Sequence, residues 1–386
     1  MKQTFLIHGK RTALGSFNGQ LGSLSAIELA TAICDSIPDK NDVEELFLGL
    51  VLSGNVGQNP ARQVCVRGGL VNAIGTQVNK VCASGMKAIA IGDMAIKTGS
   101  RCILVIGSES MSNGPYYVPR SLRYGHVEMR DSVQFDGLTD PFHSIVMGVC
   151  ADTTASKYGF SREDQDAYAM ESYKRAIKAT TDGDFKNEII PLTIKNTLVD
   201  KDENISKFKP DKMDKLKPVF TPNGTVTAAT SSPLSDGAAG VLLCDQDIVD
   251  SYVKRGLLTK GDSFFEILGC ADAEQDSKEF ITSPHLAIPI ALKKANISMD
   301  KVDYFEINEA FAVAGLVNAK LLNIPLSKVN IRGGAVAMGH PLGCSGVRIV
   351  VTLMHILESK NASIGVAAIC NGGGGASAIV IERIKA

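Results

Sequence analysis

The sequence predicts an α/β protein in which one supersecondary unit is used twice. Three observations carry that prediction. Apolar runs of strand length alternate with helical periodicity along the 386 residues. A short pattern recurs: Ser84-Gly85-Met86-Lys87, an apolar helical stretch, a polar break and Ile103-Leu104-Val105-Ile106. Its second copy is Ser345-Gly346-Val347-Arg348, a helical stretch, a break and Ile364-Gly365-Val366-Ala367, aligned with the first at a constant offset. Between the copies, from Ser112 to Pro233, the chain is more polar and poor in strand patterns.

In order, the apolar runs place strands at 45–50, 102–107, 240–244, 264–269, 363–369 and 376–381. Helical spacing of apolar residues places helices at 25–36, 85–97, 162–180, 286–295, 308–322 and 346–360. Each Ser-Gly of the repeated pattern reads as the opening of a helix, so two helix N-termini would face one site. The helix at 308–322 is read as starting on Asn308, a natural N-cap, with Glu309 favoured in its first turn. The charged run 201–217 reads as a solvated face or as part of an insertion covering one side of a site. Three units follow: 1–111 with 234–263, an insertion at 112–233, and 264–386.

Composition removes several classes of function. An apolar fraction of 45% is ample for a core and excludes general disorder. Forty basic and 41 acidic residues give a net charge of −1, without the basic excess of a nucleic-acid binder. Aromatics are 6% and Trp is absent, so no base-stacking surface is expected. Nine cysteines include no CxxC pair, which speaks against a disulfide scaffold or a zinc site and for reduced thiols. The N-terminus lacks a signal-peptide pattern, and the most apolar stretch, 347–357, is interrupted by Arg348 and His355. A cytoplasmic protein with no membrane span, no metal and no nucleic-acid partner is expected.

Four stretches pair a reactive side chain with glycine or a helix start. In Val81-Cys82-Ala83-Ser84-Gly85 a thiol sits at a turn before a helix, where the dipole favours its thiolate and small neighbours admit a carbonyl. In Gly339-His340-Pro341-Leu342-Gly343 an imidazole precedes a second helix, placed to take a proton and then donate to an oxyanion. In Cys370-Asn371-Gly372-Gly373-Gly374-Gly375 a second thiol precedes glycines whose backbone amides can turn inward. The fourth is Asn308-Glu309-Ala310-Phe311. Each has a bland structural reading alone. Together they suit thioester chemistry, with Cys82 attacking, His340 taking its proton, Asn308 and backbone amides binding oxyanions, and Cys370 serving the second substrate.

These stretches, with Arg11-Thr12-Ala13-Leu14-Gly15, Gln58-Asn59-Pro60-Ala61-Arg62 and Gly224-Thr225-Val226-Thr227-Ala228, resemble the thiolase family over nearly the whole chain. Within it, the acetyl-CoA acetyltransferases are the nearest branch. The resemblance implies a thiolase-like five-layer αβαβα core of two duplicated α/β halves, with 112–233 as a loop domain over the coenzyme A site. It implies reversible Claisen condensation of two acetyl-CoA to acetoacetyl-CoA and CoA through an acetyl-cysteine, with no permanently bound cofactor. Cys82 would carry the acetyl group, His340 would activate it, and Cys370 would remove the α-proton. Asn308 would orient a water in one oxyanion hole with His340, and the amides of Cys82 and Gly372 would form the other. Met147, Ser232 and Phe311 would line the pantetheine channel, and a homodimer or homotetramer is implied. Departures fall at Val146, where His is frequent, at Pro233 and its serine neighbours, and at Asn371, where an apolar residue is usual. They bear on substrate fit and coenzyme A affinity. A longer-chain 3-ketoacyl-CoA thiolase and a silent acyl-CoA-binding relative stay open, while the second thiol, Cys370, argues against a ketoacyl synthase.

Overall fold

The computed structural model describes residues 2–120 and 124–385. The main path of the central sheet runs through Phe5–Thr12 (β1), Glu45–Gly49 (β2), Ile74–Val78 (β3), Cys102–Ser110 (β4), Ser235–Cys244 (β5), Ser263–Glu274 (β6), Tyr304–Ile307 (β7), Ile364–Asn371 (β8) and Gly375–Lys385 (β9). They follow one hydrogen-bonded path, β7-β8-β9-β6-β1-β5-β4-β2-β3. Its thinnest joint is β6 to β1, where Phe5 faces Glu266 and Leu6 faces Phe265. On one side of that joint β2 runs parallel to β4, β4 antiparallel to β5 and β5 antiparallel to β1. On the other side β7 runs parallel to β8, β8 antiparallel to β9 and β9 antiparallel to β6. The same pairing scheme thus occurs twice, as the repeated pattern predicts. Strand β3 adds an edge to the first half.

The main helices are Ala26–Cys34 (α1), Pro60–Arg67 (α2), Ser84–Thr98 (α3), Met147–Tyr158 (α4), Arg162–Asp182 (α5), Gln246–Lys254 (α6), Pro284–Ala295 (α7), Ala312–Leu322 (α8) and Leu342–Ser359 (α9). Helices α3 and α9 pack on each other and on strands of both halves. Helices α1 and α2 cover the outer side of the first half and α7 that of the second, which gives five layers. Helix α9 carries a polar stripe of Ser345, Arg348, Thr352 and His355, yet it is buried over nearly its whole length. It is long and apolar enough to cross a membrane by length and composition, yet 83% of it lies inside the protein.

The glycines of the repeated pattern set the central contact. A Cβ on Gly85 would lie 2.8 Å from the Gly343 carbonyl, and one on Gly346 would lie 2.4 Å from the Met86 nitrogen. Only glycine lets these backbones meet. The two helix starts are thereby held at one place.

Three sequence expectations need correction. Ser84 opens α3, but α9 begins at Leu342, so Ser345 and Gly346 lie inside its first turns. Helix α8 begins at Ala312, not Asn308: Phe311 is extended (φ −142°, ψ 157°), and the Asn308 N–H donates to the Ala368 carbonyl at 2.9 Å. Strand β1 escaped notice because it carries Lys10 and Arg11; the Arg11 guanidinium is fully buried between Glu188 (2.5 Å) and Asp202 (2.7 Å). The polar interval contains α4 and α5, and α5 starts with a reciprocal Ser161–Asp164 cap. The charged run folds as short 3₁₀ turns, Asn204–Lys207 and Pro210–Lys215. Arg162 clamps it by donating to the Leu216 and Met213 carbonyls at 2.9 and 2.6 Å.

The helix crossing yields a direct expectation. Gly346→Ala forces α3 and α9 apart and costs about 2–3 kcal/mol in urea unfolding. A variant as stable as the parent would mean that the helices do not meet there.

Candidate active site

Cys82 sits on a strained turn between β3 and α3. Val81 adopts φ +47°, a left-handed conformation costly for a β-branched residue. Side chains hold the turn: Asn79 Oδ1 accepts the Val81 N–H at 2.9 Å, and Ser84 Oγ accepts the Lys80 N–H at 2.9 Å. Ser84 Oγ in turn donates to the Val81 carbonyl at 2.5 Å. The sulfur that results is buried, at the edge of a cavity.

His340 follows Gly339, whose φ of +118° and lack of Cβ are both needed, since a Cβ would overlap the Ser235 hydroxyl at 2.1 Å. Its Nδ1 lies 2.6 Å from Ser345 Oγ, and that hydroxyl donates to the Pro341 carbonyl at 2.9 Å. A hydroxyl with its one hydrogen so placed accepts from the ring, which assigns the proton to Nδ1 and leaves Nε2 bare. Nε2 faces the Asn308 side-chain nitrogen at 3.4 Å. Burial, then the Arg348 charge, pushes the imidazole down to about 3, so it is neutral near pH 7.

Cys370 is the penultimate residue of β8, completely enclosed. Burial raises its thiol well above the ordinary range, and the neighbouring Cys82 raises it further. Cys82 itself is pushed up to about 12 by burial; the nearby Gly372 backbone N–H pulls the other way. The expected thiolate at the start of α3 is therefore overruled by desolvation, and both thiols rest protonated.

One cavity of about 580 Å³ is lined by Cys82, His340, Met147, Ser232 and Phe311, with Val146, Phe220 and Pro233. A second of about 740 Å³ meets it at Met147 and reaches Gly372. The structure thus gathers every predicted site residue: Asn308 stands beside His340, and Cys370 and Gly372 beside Cys82. The Ser232 hydroxyl donates to the Ala310 carbonyl at 2.8 Å, so it faces a ligand mainly as an acceptor.

Sequence reasoning missed the supports. Glu109, at the end of β4, accepts the backbone N–H groups of Val51 (3.1 Å), Leu52 (3.0 Å) and Gly343 (2.8 Å). Burial raises its carboxyl to about 7. Glu309 is no first-turn acid. It is buried and accepts from Tyr168 (3.0 Å), Ser172 (2.8 Å), Asn330 (2.9 Å) and the Val336 N–H (3.1 Å), fixing Asn308 relative to the segment before His340. Ser345 could have been suspected from its alignment with Ser84; Glu109 and Glu309 give no local signal.

Comparison with known proteins places these features in context. The model of the thiolase N-terminal domain matches residues 4–247, and that of the thiolase C-terminal domain matches 263–383. Acetyl-CoA acetyltransferase IA of Candida tropicalis is 46% identical, covering 99% of this chain and 98% of that protein. The acetyl-CoA acetyltransferase of Saccharomyces cerevisiae is 45% identical over 99% of this chain and all of its own length. The Acat5 thiolase from Ascaris suum, solved in complex with coenzyme A, superposes with a TM-score of 0.92 at 40% identity, covering 99% of this chain and 100% of that one.

The buried imidazole makes stability pH-dependent. The folded value of His340, about 3, lies below its ordinary 6.5, so its contribution is present above pH 6.5 and is lost as pH falls towards 3. Between pH 7 and pH 5, urea unfolding of His340→Gln should lose about 2 kcal/mol less stability than the parent. Equal losses would show that His340 titrates normally.

Proposed function

The chain belongs to the thiolase family, and we propose on that premise that it is an acetyl-CoA C-acetyltransferase working through an acetyl-Cys82 intermediate. The carrying observation is the convergence of Cys82 and a neutral imidazole with Nε2 bare on one apolar cavity, with a second buried thiol, Cys370, and the Gly372 amide beside Cys82.

The geometry supports the following course. His340 Nε2 takes the Cys82 proton as the sulfur attacks the acetyl-CoA carbonyl. The oxyanion that forms is met by the Cys82 and Gly372 amides. As the intermediate collapses, the coenzyme A sulfur leaves with the Cys370 proton, so an anionic Cys370 and a cationic His340 stand on either side of the acetyl group. Cys370 then removes an α-proton from a second acetyl-CoA. The enolate oxygen developing there is met by Asn308 Nδ2 and the now protonated His340 Nε2. The carbanion attacks the acetyl-Cys82 carbonyl, and the Cys82 sulfur leaves and recovers its proton from His340. Acetoacetyl-CoA and free enzyme result, with every proton returned.

Burial makes this order sensible. Two sulfurs in one dry site resist simultaneous ionisation, and in this course only one is ever anionic in a resting intermediate. Met147, Ser232 and Phe311 would flank the pantetheine arm, with Val146 and Pro233 making the passage less polar. The same proposal includes a cytoplasmic, reducing setting, supported by nine free cysteines. It also includes a homodimer or homotetramer, supported by the exposed Val66, Val71 and Ile74 near edge strand β3.

Two experiments test it. Incubation with acetyl-CoA should add one acetyl group, mapped by mass spectrometry to Cys82; an unmodified Cys82 in folded protein would defeat the mechanism. Cys370→Ala should still acquire the acetyl group, more slowly because the coenzyme A sulfur then leaves without its proton donor, yet lose condensation by at least about 10³-fold, the scale on which a general acid–base group acts. Retained condensation would remove Cys370 from the reaction.

A further inference from the structure

The loop that supplies the Gly372 amide has no side chains of its own. Residues 372–375 are all glycine, and Gly373 and Gly374 occupy φ +89° and +98°. Such a loop is free to move unless something outside it holds the backbone. Its far end is held: the Gly374 carbonyl accepts from the Gln275 N–H at 3.0 Å and from Ser283 Oγ at 2.7 Å. A Cβ on Gly374 would lie 2.0 Å from the Gln275 carbonyl, so that end is also closely packed. Its near end, Gly372, faces open cavity, with only the Met147 sulfur and a Val81 methyl 3.7 Å from where a Cβ would be.

What holds the near end is Asn371. This side chain is buried and lies across Gly375, where a Cβ would come within 2.6 Å of its nitrogen. We propose that Asn371 is a positioning residue for the acyl-transfer step: by donating from Nδ2 to the Gly372 carbonyl at 2.8 Å, it fixes the conformation of Gly372 and with it the direction of the Gly372 N–H beside Cys82. The amide orientation is fixed by this contact, because a flipped carboxamide would set oxygen against oxygen. That orientation leaves Asn371 Oδ1 buried without a partner. An aliphatic side chain would fill the same space without that unfavourable acceptor. The polar side chain therefore carries a stability cost, and the one bond it makes is to the loop beside Cys82.

The inference rests on the acetyl-Cys82 reading, and its test separates the two. Asn371→Leu keeps the bulk and removes the donor; Asn371→Ala removes both. Each is checked for thermal unfolding, for the pre-steady-state rate of Cys82 acetylation, for KM, and for the pH profile of Cys82 alkylation by iodoacetamide. Expected are acetylation slower by about 10-fold, part of what loss of a whole oxyanion donor costs, and a KM within about two-fold. The alkaline rise of alkylation should move to higher pH, because a wandering Gly372 amide no longer favours the thiolate. A folded variant with unchanged acetylation and an unchanged alkylation profile overturns the proposal. So does failure of both variants to fold, which would make Asn371 a structural residue. Alkylation needs no coenzyme A, so a parent that never acetylates would sink the enzyme reading while this readout still judged Asn371.

Discussion

The contact on which the rest depends is the crossing of α3 and α9 at Gly85 and Gly346. Both backbones approach to a distance no side chain permits. The turn carrying Cys82 precedes one helix and the turn carrying His340 precedes the other. A thiol and an imidazole that are far apart in the chain become neighbours because two rigid helices are pinned near their starts. Elements in regular structure hold a reacting geometry better than loops do, and here the pin is backbone against backbone.

The same crossing buries the site, and burial sets its electrostatics. Cys82, Cys370 and His340 all rest neutral. Arg348 and Glu306 lie nearby as a buried, loosely paired couple at 3.6 Å, and burial raises the Glu306 carboxyl to about 8. Such a site, whose standing charge comes from Arg348 and not from the groups lining the cavity, responds strongly to charge that develops in it. In the proposed course the fixed donors wait where an oxyanion would form: the amides near Cys82, Asn308 beside Nε2. Water in the same place would have to reorganise, whereas these groups are held by bonds from elsewhere in the chain.

What could be read from the sequence follows from how local each signal is. Cys82, His340 and Cys370 announced themselves because small residues and glycines flank them on the chain. Asn308 reads locally as a helix cap that does not form; its place beside His340 comes from β7 ending beside α9. Strand β1 was hidden by Arg11, whose charge is cancelled by Glu188 and Asp202 from the inserted segment. Glu109 was invisible because its partner, the Gly343 N–H, is supplied by the other half. Asn371 could be noted as unusual, but its bond to the next carbonyl is a property of the hairpin geometry. Propensity and spacing report what a residue does with its neighbours in sequence, and these supports act across the duplication.

The duplication itself explains why there is one reactive centre and not two. The offset that aligns Ser84 with Ser345 also aligns Cys82 with Gly343 and Glu109 with Cys370. Two equivalent corners therefore exist, each formed by a strand end of one half facing the helix-start turn of the other. At one corner Cys370 faces Cys82, and Cys82 lines a cavity. At the other, Glu109 faces Gly343 and bonds its amide, and a Cβ on Gly343 would lie 2.8 Å from the Gly49 and Ser108 carbonyls. That corner is packed shut. The carboxylate and the glycine there do the mechanical work of joining the halves, and the matching pair of cysteines is relieved of it. Asymmetry between the corners, and not the pattern they share, is what gives the chain room for a substrate.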